Sequence, residues 1–336
     1  MFDITIIGDT TLDIFLMIED ARVLKNTKKG VSQLCVAYAD KIPITHMSQS
    51  IGGNATNVAM GLKKLGNSTA IVTELGDDIN GITILHELTH AGIDTRFVKK
   101  LKGKETRYSV VLNFNGERTV LSYYVDRNYR FPKLEKTQWI YYTSLGKSFE
   151  KIQTKLLDYL KKHPDTKLAF NPGSYQKKYG LAALKNIFPY LDLIFVNKQE
   201  AELFTGTKGD EKKLIHGLHK LGIDIVAMTD GARGSWASKQ HGIYHMPKFT
   251  VDVVAKTGAG DAYASGFLSA IINGKTLPCA MEWGTANASS LIQEFGAHKG
   301  LLSKTGIKQM INTYSKIKPE LLSHNTNPQV NLHTNT

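Results

Sequence analysis

The chain has 336 residues, of which 42% are hydrophobic and 21% charged, so it can bury a large core as a globular protein. Its formal net charge is +12, but the lysines occur in short groups along the whole chain, without an aromatic-interleaved basic block. This distribution disfavours a nucleic-acid partner and favours a solvated surface with a mild attraction for anionic substrates.

The cysteines and the apolar runs indicate the cellular compartment in which the protein resides. Cys35 and Cys279 form neither a disulfide framework nor a metal-ligand cluster, which suits a reducing environment. Asp3 and Asp9 interrupt the N-terminal apolar run, and no later run reaches the length of a membrane helix. We therefore expect a cytoplasmic protein without a membrane partner.

The N-terminal residues 2–8 predict a buried strand that ends at Gly8 and Asp9. Asp13 follows in the segment that leaves the carboxyl end of this strand, where open α/β sheets bind ligands. Its carboxylate can accept hydrogen bonds from the hydroxyls of a sugar. Considered alone, however, Asp13 is better explained as a solvated loop residue.

A helix predicted over residues 54–65 begins directly after Gly52 and Gly53. Asn54 and Asn57 lie in its first turn, where two amide side chains and a closely approaching backbone suit a polyhydroxylated ligand. An ordinary N-cap explains Asn54 equally well but does not account for Asn57.

Two separate stretches have β character. Residues 21–50 predict irregular β structure, and residues 108–114 and 118–124 predict a hairpin. Between them, a strand is predicted over residues 69–73 and a helix over residues 81–91. We expect residues 21–50 and 105–125 to join in a small β lid that excludes water from a ligand site.

The second half alternates strands and helices. Strands are predicted over residues 139–143, 168–171, 191–196, 225–229 and 235–238. Helices are predicted over residues 148–162, 279–294 and 302–317. Apolar residues are few from residue 319 onward, so residues 319–336 are expected to form a mobile tail.

Asn197 and Glu200 follow a predicted strand and are three residues apart, so both side chains can face one side of a helix. An amide and a carboxylate can orient the hydration shell of Mg²⁺, which keeps several waters. A capping box between the two residues is at least as good an explanation. The glycine turn over residues 229–234 follows the next strand and can lie along a nucleotide.

Residues 253–267 contain the most informative pattern. Gly258 and Gly260 allow backbone N–H groups to turn toward one point, where the N-terminus of a helix over residues 262–273 adds partial positive charge. Such a place favours an anion whose charge grows during a reaction. Asp261 beside it suggests a base that removes a hydroxyl proton while the turn holds a phosphoryl group. A glycine turn with an N-capping Asp explains the motif alone equally well.

In their order, five motifs resemble those of PfkB-type carbohydrate kinases, the ribokinase family, over residues 2–317. They are Gly8-Asp9 with Asp13, Gly52-Gly53-Asn54-Ala55-Thr56-Asn57, Asn197 to Glu200, Thr229 to Gly234, and Thr257-Gly258-Ala259-Gly260-Asp261. The resemblance implies an α/β fold with a doubly wound, mostly parallel sheet, helices on both faces and a β lid. It also implies one kinase domain over residues 1–318.

The activity that the resemblance implies is transfer of the γ-phosphoryl group of ATP, with Mg²⁺, to a primary hydroxyl of a sugar or nucleoside. Asp261 would be the base, and the amides of Gly258, Ala259 and Gly260 the anion hole. By the same resemblance, the acceptor would contact Asp13, Gly53 and Asn57. The Mg²⁺–phosphate end of the site would be formed by Asn197 and Glu200. The nucleotide would lie along Thr229, Gly231, Gly234 and Asn287.

The loop before the glycine turn departs from the family pattern. Relatives usually carry Asp-Thr where this chain has Ala255 and Lys256, and in potassium-dependent relatives the Asp belongs to the cation's ligands. Ala255 has no side-chain oxygen, whereas Lys256 brings a fixed ammonium to the cofactor-binding loop. We expect activity that does not depend on a monovalent cation. The alternative is that Lys256 points to solvent.

Three other functions differ in how well they fit the sequence. A non-catalytic descendant that binds a sugar or nucleoside as a regulator stays open, because Ala255 and Lys256 are altered. No Gly-x-Gly-x-x-Gly follows the first strand and no P-loop is present, which disfavours a dinucleotide oxidoreductase and a P-loop enzyme. No Arg or Lys is clearly placed for a substrate phosphate, although Arg107 and Arg127 are candidates, so an unphosphorylated acceptor is favoured. The lid is a plausible homodimer contact.

Overall fold

The structure, a computed structural model, describes residues 1–26, 31–239 and 242–323. Its strands are, in chain order, β1 (Phe2–Ile7), β2 (Thr11–Ile18), β3 (Arg22–Asn26), β4 (Val31–Cys35), β5 (Ile44–Gly52), β6 (Thr69–Gly76), β7 (Val98–Leu101), β8 (Tyr108–Phe114), β9 (Glu117–Tyr123), β10 (Thr137–Tyr142), β11 (Lys167–Phe170), β12 (Leu193–Asn197), β13 (Ile225–Thr229), β14 (Ser235–Lys239), β15 (Gly242–Met246) and β16 (Glu320–Ser323).

The helices of the same ranges are α1 (Asn54–Lys64), α2 (Ile79–His90), α3 (Phe149–Lys162), α4 (Ser174–Leu184), α5 (Lys198–Thr205), α6 (Glu211–Lys220), α7 (Ala259–Ile272), α8 (Leu277–Leu291) and α9 (Lys304–Thr313). Short 3₁₀ turns lie at Phe188–Tyr190 and Gly231–Arg233. Among the described residues, no helix combines the length and the apolar character that crossing a membrane requires.

A ten-stranded sheet has the order β16-β15-β14-β13-β12-β11-β10-β1-β6-β7. The strands from β7 to β13 pair in parallel, and β14, β15 and β16 extend the sheet antiparallel. Because β1 lies between β6 and β10, the chain winds first to one side of β1 and then to the other. Ligands of open α/β sheets bind at the carboxyl ends of strands beside such a reversal.

Each face of this sheet buries its own hydrophobic core, because neighbouring residues of a strand point to opposite faces. Tyr141 of β10 packs in the core under α1, α2, α7, α8 and α9. Its neighbour Tyr142 packs in the core under α3, α4, α5 and α6. The predicted fold class, a doubly wound and mostly parallel α/β sheet with helices on both faces, is confirmed.

Helix α7 is buried on nearly all sides, which explains its run of small and apolar residues. Gly266 allows α8 to pack closely against it, since a Cβ at this position would lie 2.5 Å from the Trp283 carbonyl oxygen. The neighbouring helices therefore fix α7, and its N-terminus is held rigidly at the carboxyl end of the sheet.

The lid is a second sheet with the order β5-β2-β8-β9. It includes the predicted hairpin β8–β9 but also β2, which the sequence pattern placed in an exit loop after the first strand. Strands β3 and β4 do not join this sheet and pair only with each other among the described strands. The expected lid boundaries are corrected accordingly. Thr11 and Asp13 of β2 line the cavity beneath the lid, whereas Leu12 and Ile14 point to the opposite face of the lid sheet.

The C-terminal segment also differs from expectation. Glu320–Ser323 forms β16, which pairs antiparallel with β15 at the edge of the central sheet. The segment predicted to be a mobile tail therefore begins with a strand. The sequence pattern did not indicate this strand because an edge strand with few apolar residues gives a weak signal. Residues 324–336, which belong to the same prediction, lie outside the described residues.

Candidate active site

The glycine turn before α7 has the conformation that an anion hole needs. Gly258 is the N-cap of α7 with φ 78° and ψ 0°, a left-handed conformation that favours glycine. A Cβ on Gly260 would meet no atom within 4 Å, so its backbone faces open space. The Ala259 amide donates to the Lys256 carbonyl at a long 3.4 Å. The amides at this helix N-terminus carry partial positive charge and can hold an anion.

Asp261 lies in the first turn of α7 and is only 9% exposed. Burial raises the pKa of Asp261 to about 7, against the lowering effects of a hydrogen bond from Asn57 and the charge of Arg118. A carboxylate with a pKa near neutrality is well suited to take a proton from a hydroxyl.

The N-terminus of α1 supplies Asn57. Gly53 is the N-cap with φ 87°, and a Cβ there would lie 2.7 Å from the carbonyl oxygen of Asp9, so glycine is required for this close approach. The buried Asn57 donates from Nδ2 to Oδ2 of Asp261 at 2.8 Å. Asn54 donates from Nδ2 to Oδ1 of Asn171 at 3.3 Å, and both residues lie at the cavity between the lid and the central sheet.

Asp13 reaches the site from the lid. It lies on β2, packs against Gly52, and accepts a hydrogen bond from Thr11 Oγ1 at 2.7 Å. Burial raises its pKa, and Ser109 and Arg118 oppose that shift. The structure thus brings Asp13 to Asp261 as the sequence predicts, but on a lid strand rather than on a loop of the central sheet.

A cavity of about 500 Å³ lies between the carboxyl ends of the central strands and the inner face of the lid. The predicted residues that line it are Asp13, Gly53, Asn57, Asn197, Glu200, Thr229, Lys256, Gly258, Ala259, Gly260 and Asp261. This volume falls in the usual range for small-molecule sites.

Beyond these, the sequence reasoning missed a buried cluster at one end of the cavity. Asp9 pairs with Arg107, and the Tyr129 hydroxyl donates its one proton in a bifurcated hydrogen bond to Oδ2 and Oδ1 of Asp9, at 2.7 and 2.9 Å. The guanidinium of Arg107 lies 4.2 Å from the ring centroid of Tyr124. The sequence did not indicate this cluster because about a hundred residues separate Asp9 from Arg107 and Tyr129. Arg107 was proposed for a substrate phosphate, but Asp9 neutralises its charge.

Arg127, the other arginine considered for a phosphate, is buried outside the cavity lining and donates to the carbonyl oxygen of Glu105 at 3.0 Å. A second missed residue, Arg118 of β9, lines the cavity and its charge acts on both Asp261 and Asp13. Alternation along β9 was the only signal, since it places every second side chain on the cavity face.

Asn197 and Glu200 form the capping box at the start of α5. Asn197 Oδ1 accepts from the Glu200 amide at 2.9 Å, and Glu200 Oε2 accepts from the Asn197 amide at 2.9 Å. The other carboxylate oxygen accepts from Lys177 Nζ at 2.7 Å, a partner that the sequence did not reveal. Both residues also line the cavity, so the capping and ligand-facing interpretations are compatible.

A magnesium ion is expected here from the kinase motifs. No group of three or more His, Cys, Asp and Glu side chains within the described ranges is arranged to hold a metal directly. Both oxygens of Glu200 are already hydrogen-bonded. These residues therefore fit Mg²⁺ held mainly by phosphate oxygens and water, with Glu200 acting through a water, which is common for this ion.

At the end of the cavity that the sequence predicts to hold the nucleotide, Thr229 is a lining residue, and the turn of Gly231 and Gly234 lies just beyond the lining residues. Gly234 has φ 89°, and a Cβ there would collide with the Met246 carbonyl. Lys256 is bound to the lid, with its Nζ 2.9 Å from Glu117 Oε1. With 61% of its side chain exposed, Lys256 both faces solvent and links the loop to the lid.

The structure does not place Asn287 along the nucleotide site, where the sequence predicts it. It is fully buried, and its Nδ2 donates to the Ala262 carbonyl at 2.9 Å and to Ser265 Oγ at 3.1 Å. Its Oδ1 accepts from the Leu302 amide at 2.9 Å. The side chain therefore ties α8 to α7 and to the segment before α9 rather than facing a nucleotide. Motif matching places it on α8 but does not reveal which way it points.

Comparison with known proteins gives the family. The model of the pfkB family carbohydrate kinases matches residues 27–304, which is most of the chain. The chain belongs to this family. It is a carbohydrate kinase, and the resemblance read from the motifs is confirmed.

Individual relatives are distant. An uncharacterized sugar kinase of Archaeoglobus fulgidus is 26% identical over 254 residues, covering 72% of this chain and 98% of the relative. The nucleoside kinase of Methanocaldococcus jannaschii, a ribokinase-family structure, superposes with a TM-score of 0.76 at 21% identity, over 93% and 99% of the two chains. Arabidopsis thaliana ribokinase, solved with ribose and ATP, gives 0.73 at 20% identity, over 92% and 98%. These structures establish the shared ribokinase-like fold.

The position of Asn287 leads to a stability prediction. Asn287→Ala leaves the Leu302 amide without its acceptor and removes one donor each from the Ala262 carbonyl and Ser265 Oγ, which still bond to each other. We therefore expect a loss of about 2–4 kcal/mol in the free energy of unfolding. Urea denaturation measures it. The control is Asn312→Ala, because Asn312 is exposed on α9 and its replacement should change stability little. Unchanged stability of Asn287→Ala together with loss of ATP affinity would contradict the structural role.

Proposed function

We propose that this kinase transfers the γ-phosphoryl group of ATP to a primary hydroxyl of a sugar or nucleoside, with Asp261 as the base. The observation that carries the proposal is the buried Asp261 carboxylate, with a pKa of about 7, directly beside the open glycine turn at the N-terminus of α7. Base and anion hole thus lie at one point of a cavity that has room for an acceptor.

In the proposed reaction, the acceptor oxygen forms a bond to the γ-phosphorus while the bond from phosphorus to the bridging oxygen of ADP breaks. The hydroxyl proton passes to Asp261, a step typically worth about 10²–10⁴-fold in rate. The amides of Gly258, Ala259 and Gly260 hold the phosphoryl oxygens as charge shifts onto them and onto ADP. Arg118, aimed into the same space from the lid, adds a positive charge.

Acceptor binding is assigned to Asp13, Gly53 and Asn57. Asp13 carries carboxylate oxygens that can accept hydrogen bonds from hydroxyls, and it lies within the electrostatic reach of Asp261. The arginines of the cavity are balanced by acids, since Arg107 pairs with Asp9 and Arg118 faces Asp261 and Asp13. This balance favours an uncharged sugar or nucleoside over a phosphorylated acceptor.

The nucleotide is assigned to the other end of the cavity, along Thr229 and the turn of Gly231 and Gly234. Asn197 and Glu200 would hold the hydrated Mg²⁺, which neutralises phosphate charge when bound. The Arabidopsis ribokinase structure contains both ribose and ATP, which supports a sugar and a nucleotide as the ligands of this fold. The lid would cover the acceptor and keep water from competing with it.

The proposal is tested by a phosphorylation screen over pentoses, hexoses and nucleosides with ATP and Mg²⁺. We expect turnover on at least one unphosphorylated acceptor and a loss of about two to four decades in Asp261→Asn, which removes the base but keeps the fold. ADP release measures the rate, and circular dichroism checks folding. Binding of an acceptor without turnover would instead favour a non-catalytic regulator. Turnover of Asp261→Asn near that of the wild type would remove Asp261 from the mechanism.

We also propose that turnover does not need a monovalent cation. Ala255 provides no side-chain oxygen, and Lys256 keeps a positive charge at the loop, where pairing with Glu117 lowers the pKa of that carboxyl. The salt bridge is exposed, so its role would be to hold the ammonium near the loop rather than to stabilise the fold.

Turnover in sodium, potassium and tetramethylammonium salts at equal ionic strength should therefore be the same. Lys256→Met should lower turnover in all three salts because the loop loses its charge, whereas Lys256→Arg should retain most of it. Initial rates measure both effects. A large activation of the wild type by potassium would rule the proposal out.

A homodimer through the lid is our third proposal here. The cross-strand pairs Tyr108–Tyr123 and Val110–Leu121 lie on the lid face opposite the cavity. Leu121 is 55% exposed and Met47 of β5 is 66% exposed on this lid sheet. An apolar sheet face of this kind is a typical contact surface between identical subunits.

We expect the wild type to sediment as a dimer and Leu121→Lys to sediment as a monomer, because a buried lysine would be placed in the contact. Leu203→Lys on α5 is the matched control, since Leu203 is 50% exposed on a different surface. Analytical ultracentrifugation distinguishes the states. A monomeric wild type, or a dimer that survives Leu121→Lys, would contradict this arrangement.

A further inference from the structure

The segment between α8 and α9 contacts three parts of the candidate site. Ala297 packs against the glycine turn, where a Cβ on Gly258 would lie 3.2 Å from the Ala297 Cβ. Phe295 meets Phe15 of the lid edge to face, with ring centroids 5.8 Å apart. His298 places its Nε2 2.8 Å from Oδ1 of Asn57. Of these contacts, the last reaches the catalytic base through a single side chain.

Asn57 is hydrogen-bonded at both ends of its amide. Its Oδ1 is bound to His298 Nε2, and its Nδ2 donates to Oδ2 of Asp261 at 2.8 Å. Burial lowers the pKa of His298 to about 4, so the ring is neutral at physiological pH. Because the amide oxygen only accepts, the neutral ring must carry its proton on Nε2 in this contact.

The direction of the amide decides what Asp261 experiences. With Oδ1 held by the imidazole, Asn57 must present its N–H group to the carboxylate, which favours the charged form of Asp261. Turned around, the amide would direct its oxygen at the carboxylate and favour the protonated form. The protonated form cannot accept a proton from the acceptor hydroxyl.

We propose that His298 is a positioning residue: it fixes the amide of Asn57 so that Asp261 stays deprotonated and aligned for proton removal. This inference rests on the proposed function, in which Asp261 is the base. His298 itself contacts neither the acceptor nor the phosphoryl group in this role. It acts only through Asn57.

Other ionisable groups also face Asp261. Arg118 of β9 favours its charged form, whereas Asp13 of β2 and Glu200 of α5 favour its neutral form. Tyr141 of β10 lies close enough to be affected by the charge of Asp261. None of these four depends on His298 for a hydrogen bond given in the structure, so a change at His298 would reach Asp261 through Asn57.

The test compares His298→Leu with His298→Gln. Leucine removes the donor, whereas glutamine keeps a neutral N–H donor at a similar distance. The wild-type profile of kcat/KM against pH should fall on the acid side near pH 7, where Asp261 becomes protonated. In His298→Leu this limb should move up by about one pH unit, because the carboxylate loses a hydrogen bond that favours its charge.

The same shift predicts a rate effect that depends on pH. At pH 6 the kcat/KM of His298→Leu should be about tenfold below that of the wild type, and the deficit should disappear above the raised pKa. His298→Gln should follow the wild-type profile. A uniform loss at every pH in His298→Leu, or a glutamine variant that behaves like the leucine variant, would overturn the proposal.

A second measurement does not need turnover. NMR titration of the protein labelled with ¹³C at the aspartate carboxyls, with the Asp261 signal assigned from Asp261→Asn, gives the pKa of Asp261 directly. We expect a higher pKa in His298→Leu than in the wild type and His298→Gln. An unchanged pKa overturns the role of His298 even in an active enzyme, whereas a shifted pKa in a protein without turnover refutes only the proposed function.

Discussion

The burial of one carboxylate is the constraint on which the site depends. Asp261 is placed in the first turn of a helix that is itself enclosed by α1, α8 and the central sheet, so its charge is removed from water. Desolvation alone would keep the group protonated. The hydrogen bond from Asn57, the charge of Arg118 and the positive end of α7 act against it, and the pKa settles at about 7.

This balance requires contributions from separate layers of the molecule. Asn57 comes from α1 on the central sheet, Arg118 comes from the lid, and the segment after α8 holds Asn57 through His298. Any movement of the lid therefore changes the electrostatic environment of Asp261 as well as access to the cavity. Asn287 has an indirect part, since its bond to the Leu302 amide fixes the chain just after His298.

Much of this arrangement was predictable from local sequence. Strand–helix alternation indicated α/β structure, and glycine turns marked the positions of Asn57, Thr229 and Asp261. Only Thr229 follows a parallel strand of the central sheet, whereas Asn57 and Asp261 follow the antiparallel strands β5 and β15. Strand β2 was missed because Asp13, an acid within an apolar run, was interpreted as part of a loop that leaves the central sheet. In the structure this segment pairs with β5 and β8 as a strand of the lid, and its polar side chains line the cavity.

By itself, the sequence determined those features that depend on neighbouring residues: the glycine turn that opens α7, the acid beside it, and the capping box of Asn197 and Glu200. The direction and partners of the other polar side chains were decided only by the tertiary structure. Asp9 forms an ion pair with Arg107, Asn57 is hydrogen-bonded to His298, and Asn287 donates a hydrogen bond to the Ala262 carbonyl. The physical reason is that buried polar groups must find hydrogen-bond partners, and these partners lie far apart along the chain.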